Sequence, residues 1–190
     1  YFHELFVIRH KKILTDAIRT QSIVIVVIIA IIIVIGIFAP DLMEGEKRMA
    51  FNSSDIAAFK DIWVFCDQRE GKLMNTDFEL ISEGRKLADE RGAKLVGVLL
   101  GDNVEGIAKE LGGYGADKVI VCNHPELKVY TTDAYAKVLC DVAMDKKPEV
   151  ILLGATNIGR DLGPRCAARL RTGLTADCTH LDIDMNNYVD

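Results

Sequence analysis

The chain has 190 residues, 49% of them hydrophobic and 27% charged, and a formal net charge of −5. That length holds one ordinary domain with a buried core and something extra. Beyond residue 60, 16 Lys and Arg face 22 Asp and Glu, an acidic balance that excludes nonspecific nucleic-acid binding through phosphate-neutralising cations.

Residues 1–21 form a basic N-terminal segment carrying Arg9, Lys11, Lys12 and Arg19. Residues 22–39 are apolar, and from Ile23 to Ala39 the run of 17 is unbroken, near the lower limit for a bilayer-crossing helix. Asp41, Glu44, Glu46, Lys47 and Arg48 follow it, and taken literally the flanking charges describe a single-pass anchor with a basic inside end. The run exceeds the apolar region of a signal peptide, and no A-x-A site follows at once. Such an anchor would carry five unpaired cysteines into an oxidising space. A second reading therefore stands beside it: residues 40–60 are a linker, and translation starts at Met49. The stretch Glu44-Gly45-Glu46-Lys47-Arg48 can be encoded by purine-rich codons, as a bacterial ribosome-binding site would be.

From residue 61 short apolar runs alternate with amphipathic stretches. Ile62–Phe65, Leu95–Leu100, Val119–Val121 and Val150–Leu153 are rich in β-branched residues and too short for helices, as buried parallel strands are. Between them, Asp77–Arg91 carries a stripe of Leu80, Ile81, Gly84, Leu87 and Ala88. Thr132–Asp145 carries Tyr135, Val138, Leu139 and Val142, with Thr132 or Asp133 placed to cap. Gly92 and Gly112-Gly113 stand at expected helix ends, and Pro148 follows the cationic end Lys146-Lys147. This order predicts an α/β fold: a doubly wound, mostly parallel sheet in a nucleotide-binding-type three-layer sandwich, preceded by the candidate hydrophobic helix. Ligands of such sheets sit beyond the carboxyl ends of the strands, which singles out loops 66–76, 101–104, 122–129 and 154–161.

Five cysteines (Cys66, Cys122, Cys140, Cys166 and Cys178) include no C-x-x-C pair, and four histidines are scattered without ligand spacing, so no metal site is expected. Gly113-Tyr-Gly115 precedes a strand rather than following one, so it reads as a helix-to-strand turn and not as a dinucleotide fingerprint. Gly154-Ala-Thr-Asn-Ile-Gly159-Arg160-Asp161 is better placed, after a strand and into a helix. A P-loop needs Lys where Arg160 stands and Ser or Thr where Asp161 stands, so triphosphate hydrolysis is excluded. Leu162, Cys166 and Leu170 form the inward stripe of the helix that follows, with Arg160, Arg165, Arg169 and Arg171 toward solvent or a partner. The residues Gly154, Thr156, Gly159, Arg160 and Asp161 are the candidate site, contacting either a nucleotide or a partner subunit. No nucleophile–base pair can be assembled, so no catalytic residues are expected.

The segments DIWVFCDQREGKL, GYGADKVIV and LLGATNIGRDLGPRCAARLRTGLTADCTHLDID resemble the N-terminal domain of the electron-transfer flavoprotein alpha subunit, over residues 61–190. The resemblance implies an alpha/beta heterodimer that carries FAD and passes electrons from an acyl-CoA or similar dehydrogenase to a downstream acceptor. It implies that this domain mainly docks the beta subunit, while FAD is held by a C-terminal domain expected to be absent; Gly154–Leu162 and Gly173–Asp177 are the loops expected to face the partner or its nucleotide. The implied location is cytoplasmic, or membrane-anchored through residues 22–39. A membrane-tethered nucleotide-binding stress or signalling domain is the alternative.

Overall fold

The computed structural model describes residues 5–9, 56–178 and 180–183. The apolar stretch 22–39 and the start expected at Met49 lie outside the described residues. Among the described residues, no helix is long and apolar enough to cross a membrane.

Among the described residues, eight strands and four α-helices follow one another: β1 (Leu5–Arg9), β2 (Ile62–Cys66), β3 (Gln68–Arg69), β4 (Lys72–Leu73), α1 (Asn75–Arg91), β5 (Leu95–Gly101), α2 (Glu105–Gly113), β6 (Lys118–Asn123), α3 (Thr132–Lys146), β7 (Val150–Gly154), α4 (Asn157–Leu170) and β8 (Gly173–Cys178). The main sheet runs β6-β5-β2-β7-β1-β8. Its first four strands are parallel, and β1 is antiparallel to both β7 and β8. The four apolar runs are thus the parallel core of the sheet, each extended by a residue or more at its ends.

Period-two alternation divides these strands between two cores. Trp63, Phe65, Val98, Leu100, Ile151 and Leu153 face Tyr135, Leu139, Cys140, Leu162 and Cys166 of α3 and α4. Ile62, Val64, Leu95, Leu99 and Leu152 face Leu80, Ile81, Leu87 and Leu111 of α1 and α2. Helices on both faces of one sheet make the expected three-layer sandwich. The stripes assigned to α1 and α4 are buried in full.

Four details differ from the sequence reading. The buried line of α3 is Tyr135, Ala136, Leu139, Cys140 and Ala143, so Val138 and Val142 sit at its margin. Thr131, not Thr132 or Asp133, occupies the N-cap of α3 in an extended conformation without a side-chain cap bond, and the Thr132 hydroxyl donates to Asp161. Helix α2 runs through Gly112-Gly113, and Gly115 takes the left-handed conformation (φ 115°) in the turn into β6. Gly173–Asp177 belongs to strand β8 rather than to a loop; half of it is exposed and it has no apolar run to announce it.

Candidate functional site

Strand order reverses between β2 and β7. The chain winds outward from β2 through β5 to β6, then returns to place β7 on the other side of β2. The crevice between the carboxyl ends of β2 and β7 is the topological switch point, where open α/β sheets place their ligands.

From the β7 side comes the glycine loop. Thr156 is the N-cap of α4, and its hydroxyl accepts the Gly159 N–H at 3.1 Å. Gly159 has no substitute here, because a Cβ on it would stand 1.9 Å from the Gly154 carbonyl oxygen. Gly159 therefore serves the close approach of helix to strand, whereas a Cβ at Gly154 would meet nothing nearer than the Leu80 methyl at 3.4 Å. Thr156 satisfies the third amide of the helix, leaving the amides of Asn157 and Ile158 at its positive end.

Arg160 turns away from that end. Its Nε donates to the Ala155 carbonyl at 3.3 Å, and its guanidinium pairs with Asp177 of β8 at 3.3 Å. Asp161 is tied to the start of α3: its carboxylate accepts the Tyr130 hydroxyl at 2.6 Å and also the Thr132 hydroxyl. Those two hydrogen bonds hold its carboxyl below the usual range. Burial, and after it the same bond to Asp161, push the Tyr130 phenol well up. Of the five residues singled out, Gly154, Thr156 and Gly159 thus converge at the crevice. Arg160 and Asp161 diverge to β8 and α3.

From the β2 side come residues that sequence reasoning missed. Asp67 follows β2 directly and is buried at 4% exposure. Neither of its carboxylate oxygens has a hydrogen-bond partner among the described residues, and the guanidinium of Arg69 stands 3.7 Å away. Burial raises its proton affinity; Thr156 and Arg69 nearby pull the other way. Asp77, in the first turn of α1, accepts the backbone N–H of Asp67 at 2.8 Å and that of Met74 at 2.8 Å. It closes the loop that carries the β3–β4 hairpin. Its pKa is raised to about 7 by burial, against those two donated bonds and with some help from the Asp67 charge. The hydroxyl of Thr76 is buried beside Gly154 and also lacks a partner among the described residues. The available signal was an Asp directly after a fully apolar strand, followed by a second Asp at the third position of the next helix.

The geometry defines a doubly wound nucleotide-binding-type domain whose switch point is lined by carboxylates and hydroxyls. Among the described residues, no group of three or more His, Cys, Asp or Glu could hold a metal ion. All five cysteines are free. Comparison with known proteins then places it. The model of the electron transfer flavoprotein domain matches residues 62–189, and the chain belongs to that family.

The chain is 87% identical over 142 residues to the acryloyl-CoA reductase electron transfer subunit beta of Anaerotignum propionicum, covering 75% of this chain and 39% of that protein. It is 56% identical over 133 residues to protein FixB of Clostridium saccharobutylicum, covering 70% of this chain and 40% of the relative. Against the electron transfer flavoprotein subunit alpha of Thermoanaerobacterium thermosaccharolyticum, identity is 58% over 131 residues, covering 69% and 40%. The chain spans about two fifths of the length of the curated relatives it matches. Family membership lends no support to the alternative of a membrane-tethered stress or signalling domain.

Proposed function

We propose that this domain is the docking half of an alpha-type subunit in an electron-transferring flavoprotein, pairing with a beta subunit. It places that subunit against the rest of the alpha chain. In the assembled heterodimer FAD carries electrons from an acyl-CoA or similar dehydrogenase to an acceptor in the cytoplasm. One observation supports docking above others. Arg160 and Asp177 join the loop after β7 to strand β8 in one half-exposed charged surface at the carboxyl edge of the sheet.

FAD does not fit the residues of this domain. A pyrophosphate at the positive end of α4 would face Asp67 and Asp77 across the crevice, and Gly159 is pressed onto the Gly154 carbonyl. The flavin of the heterodimer is therefore carried outside this domain in this reading. What the domain supplies is position and electrostatics, which is the protein's usual share of flavin chemistry. Among the five candidate residues, Gly154, Thr156 and Gly159 shape the loop, Asp161 braces it against α3, and Arg160 presents its edge to the partner or to the partner's nucleotide.

The test is co-expression of the chain with the beta-type subunit, followed by size-exclusion chromatography. The reading expects a 1:1 complex; two separate monomers would refute it.

A further inference from the structure

We infer that the outward face of α4 seats an acidic surface of the beta-type subunit, an inference that rests on the docking reading above. The helix buries Gly159, Leu162, Gly163, Cys166, Ala167 and Leu170. Arg160, Pro164, Arg165 and Ala168 are exposed on its opposite side, within reach of a partner.

The charge on this face differs from that of the domain around it. Acidic side chains outnumber basic ones beyond residue 60, yet Asn157–Leu170 holds Arg160, Arg165 and Arg169 against one carboxylate, Asp161. That carboxylate already accepts the hydroxyls of Tyr130 and Thr132. Arg165 acts on it only through space, and Arg169 acts in the same way on the buried thiols of Cys140 and Cys166. Among the described residues neither guanidinium closes an ion pair or a hydrogen bond, and the Arg169 Nε is buried without an acceptor. On α3, Asp141 is paired with Lys137 and Asp145 with Lys146. Like charges four residues apart work against a helix, so α4 itself gains nothing from Arg165 and Arg169 together.

The layout points to the chemistry of the occupant. At about 3.6 residues per turn, Arg160 lies on the flank toward β8, where it meets Asp177, and Arg165 and Arg169 lie on the flank toward α3. Uncharged Pro164 and Ala168 form a low floor between the two flanks. Cations a helix-width apart do not converge on one small anion such as phosphate. They suit carboxylates spread over a protein surface, each taken by a guanidinium fork. The carboxylate excess elsewhere in the domain repels nucleic acid. The face continues from the Arg160–Asp177 edge already assigned to the beta-type subunit, which makes that subunit the occupant.

The experiment uses the full chain, its Arg165→Glu and Arg169→Gln variants, and Lys109→Glu, which reverses an exposed cation on α2 across the sheet. Association with the beta-type subunit is measured by biolayer interferometry at low and high salt, self-association by sedimentation velocity, and free-chain stability by thermal melting. Arg165→Glu is expected to weaken association by about tenfold or more and Arg169→Gln by about threefold, while Lys109→Glu leaves it unchanged. High salt should weaken the wild type severalfold and Arg165→Glu much less. Arg165→Glu should melt within about 3 °C of the wild type.

The inference is overturned if Arg165→Glu binds as the wild type does, or if Lys109→Glu weakens binding equally. It is overturned as well if Arg165→Glu lowers Tm and affinity together, as a purely structural arginine would. Self-association that Arg165→Glu abolishes, with binding to the beta-type subunit untouched, would assign the face to a second copy and overturn it too. A wild-type chain that does not associate with the beta-type subunit removes the docking reading and this inference together. Association that is indifferent to Arg165 and Arg169 removes the inference alone.

Discussion

The Asp77 carboxylate receives the main-chain N–H of Asp67 at 2.8 Å, so the first turn of α1 is fastened to the end of β2. The same carboxylate receives Met74 N–H, which makes it a clamp across the whole hairpin-bearing loop. A charge buried this deeply strains against its own desolvation, and that strain can be read as a pH dependence.

Burial raises the pKa of Asp77 to about 7, well above the ordinary aspartate range in which it titrates when unfolded. The folded state therefore binds the proton more tightly between those two values. By linkage, this residue's contribution to stability is full below about pH 4, falls as pH rises toward 7, and is flat above. Unfolding free energies from urea titrations at pH 4 to 8 should fall by an amount on the order of a few kcal/mol from this source. Asp77→Asn should flatten the slope over that window.

Gly159→Ala should be far more damaging than Gly154→Ala. A Cβ at 159 would overlap the Gly154 carbonyl oxygen at 1.9 Å, against backbone that cannot swing aside. At 154 the nearest atoms are the Leu80 methyl at 3.4 Å and side-chain carbons of Thr156 and Thr76 at 3.6 and 3.7 Å, which is ordinary contact. Chemical denaturation should show a loss of about 3 kcal/mol or failure to fold for the first. The second should lose about 1 kcal/mol or less.

Asp161→Ala should release Tyr130. Burial keeps that phenol's pKa high, and the bond to Asp161 raises it further. Without the carboxylate, phenolate should form at lower pH than in the wild type, as followed by ultraviolet difference absorbance. An unchanged titration would mean that the bond between α4 and the start of α3 does not persist in solution.

Arg160→Ala should separate partner contact from folding. The ion pair with Asp177 is half exposed on both sides, so its net contribution to stability is about 1 kcal/mol or less. Thermal melting of the variant should match wild type closely, while affinity for the beta-type subunit should drop severalfold. Equal affinity would leave Arg160 with its contacts inside the chain alone.

Much of this was readable along the chain. Ile62–Cys66, Leu95–Gly101 and Val150–Gly154 are apolar on both faces, and strands of that kind have a place only at the centre of a covered sheet. The stripe of α1 and the glycine loop before α4 were equally plain. Strand β8 was not, because Thr175, Ala176 and Asp177 are exposed, and of these only Thr175 pairs with β1, while Ala176 and Asp177 fall in a bulge where Asp177 is left-handed (φ 55°). Asp67 was also hidden. Nothing local tells a carboxylate after a strand that its oxygens will be enclosed.

Local periodicity by itself determined the four parallel strands and the faces that α1 and α4 bury. Those properties depend on neighbours within a few residues. The tertiary structure decided that β7 lies beside β2, and through that single adjacency brought Asp67 and Thr156 to one crevice. It also sent Arg160 to Asp177 and Asp161 to Tyr130. Strand order is set by which distant apolar faces can be covered together, and that choice is made by the whole chain at once.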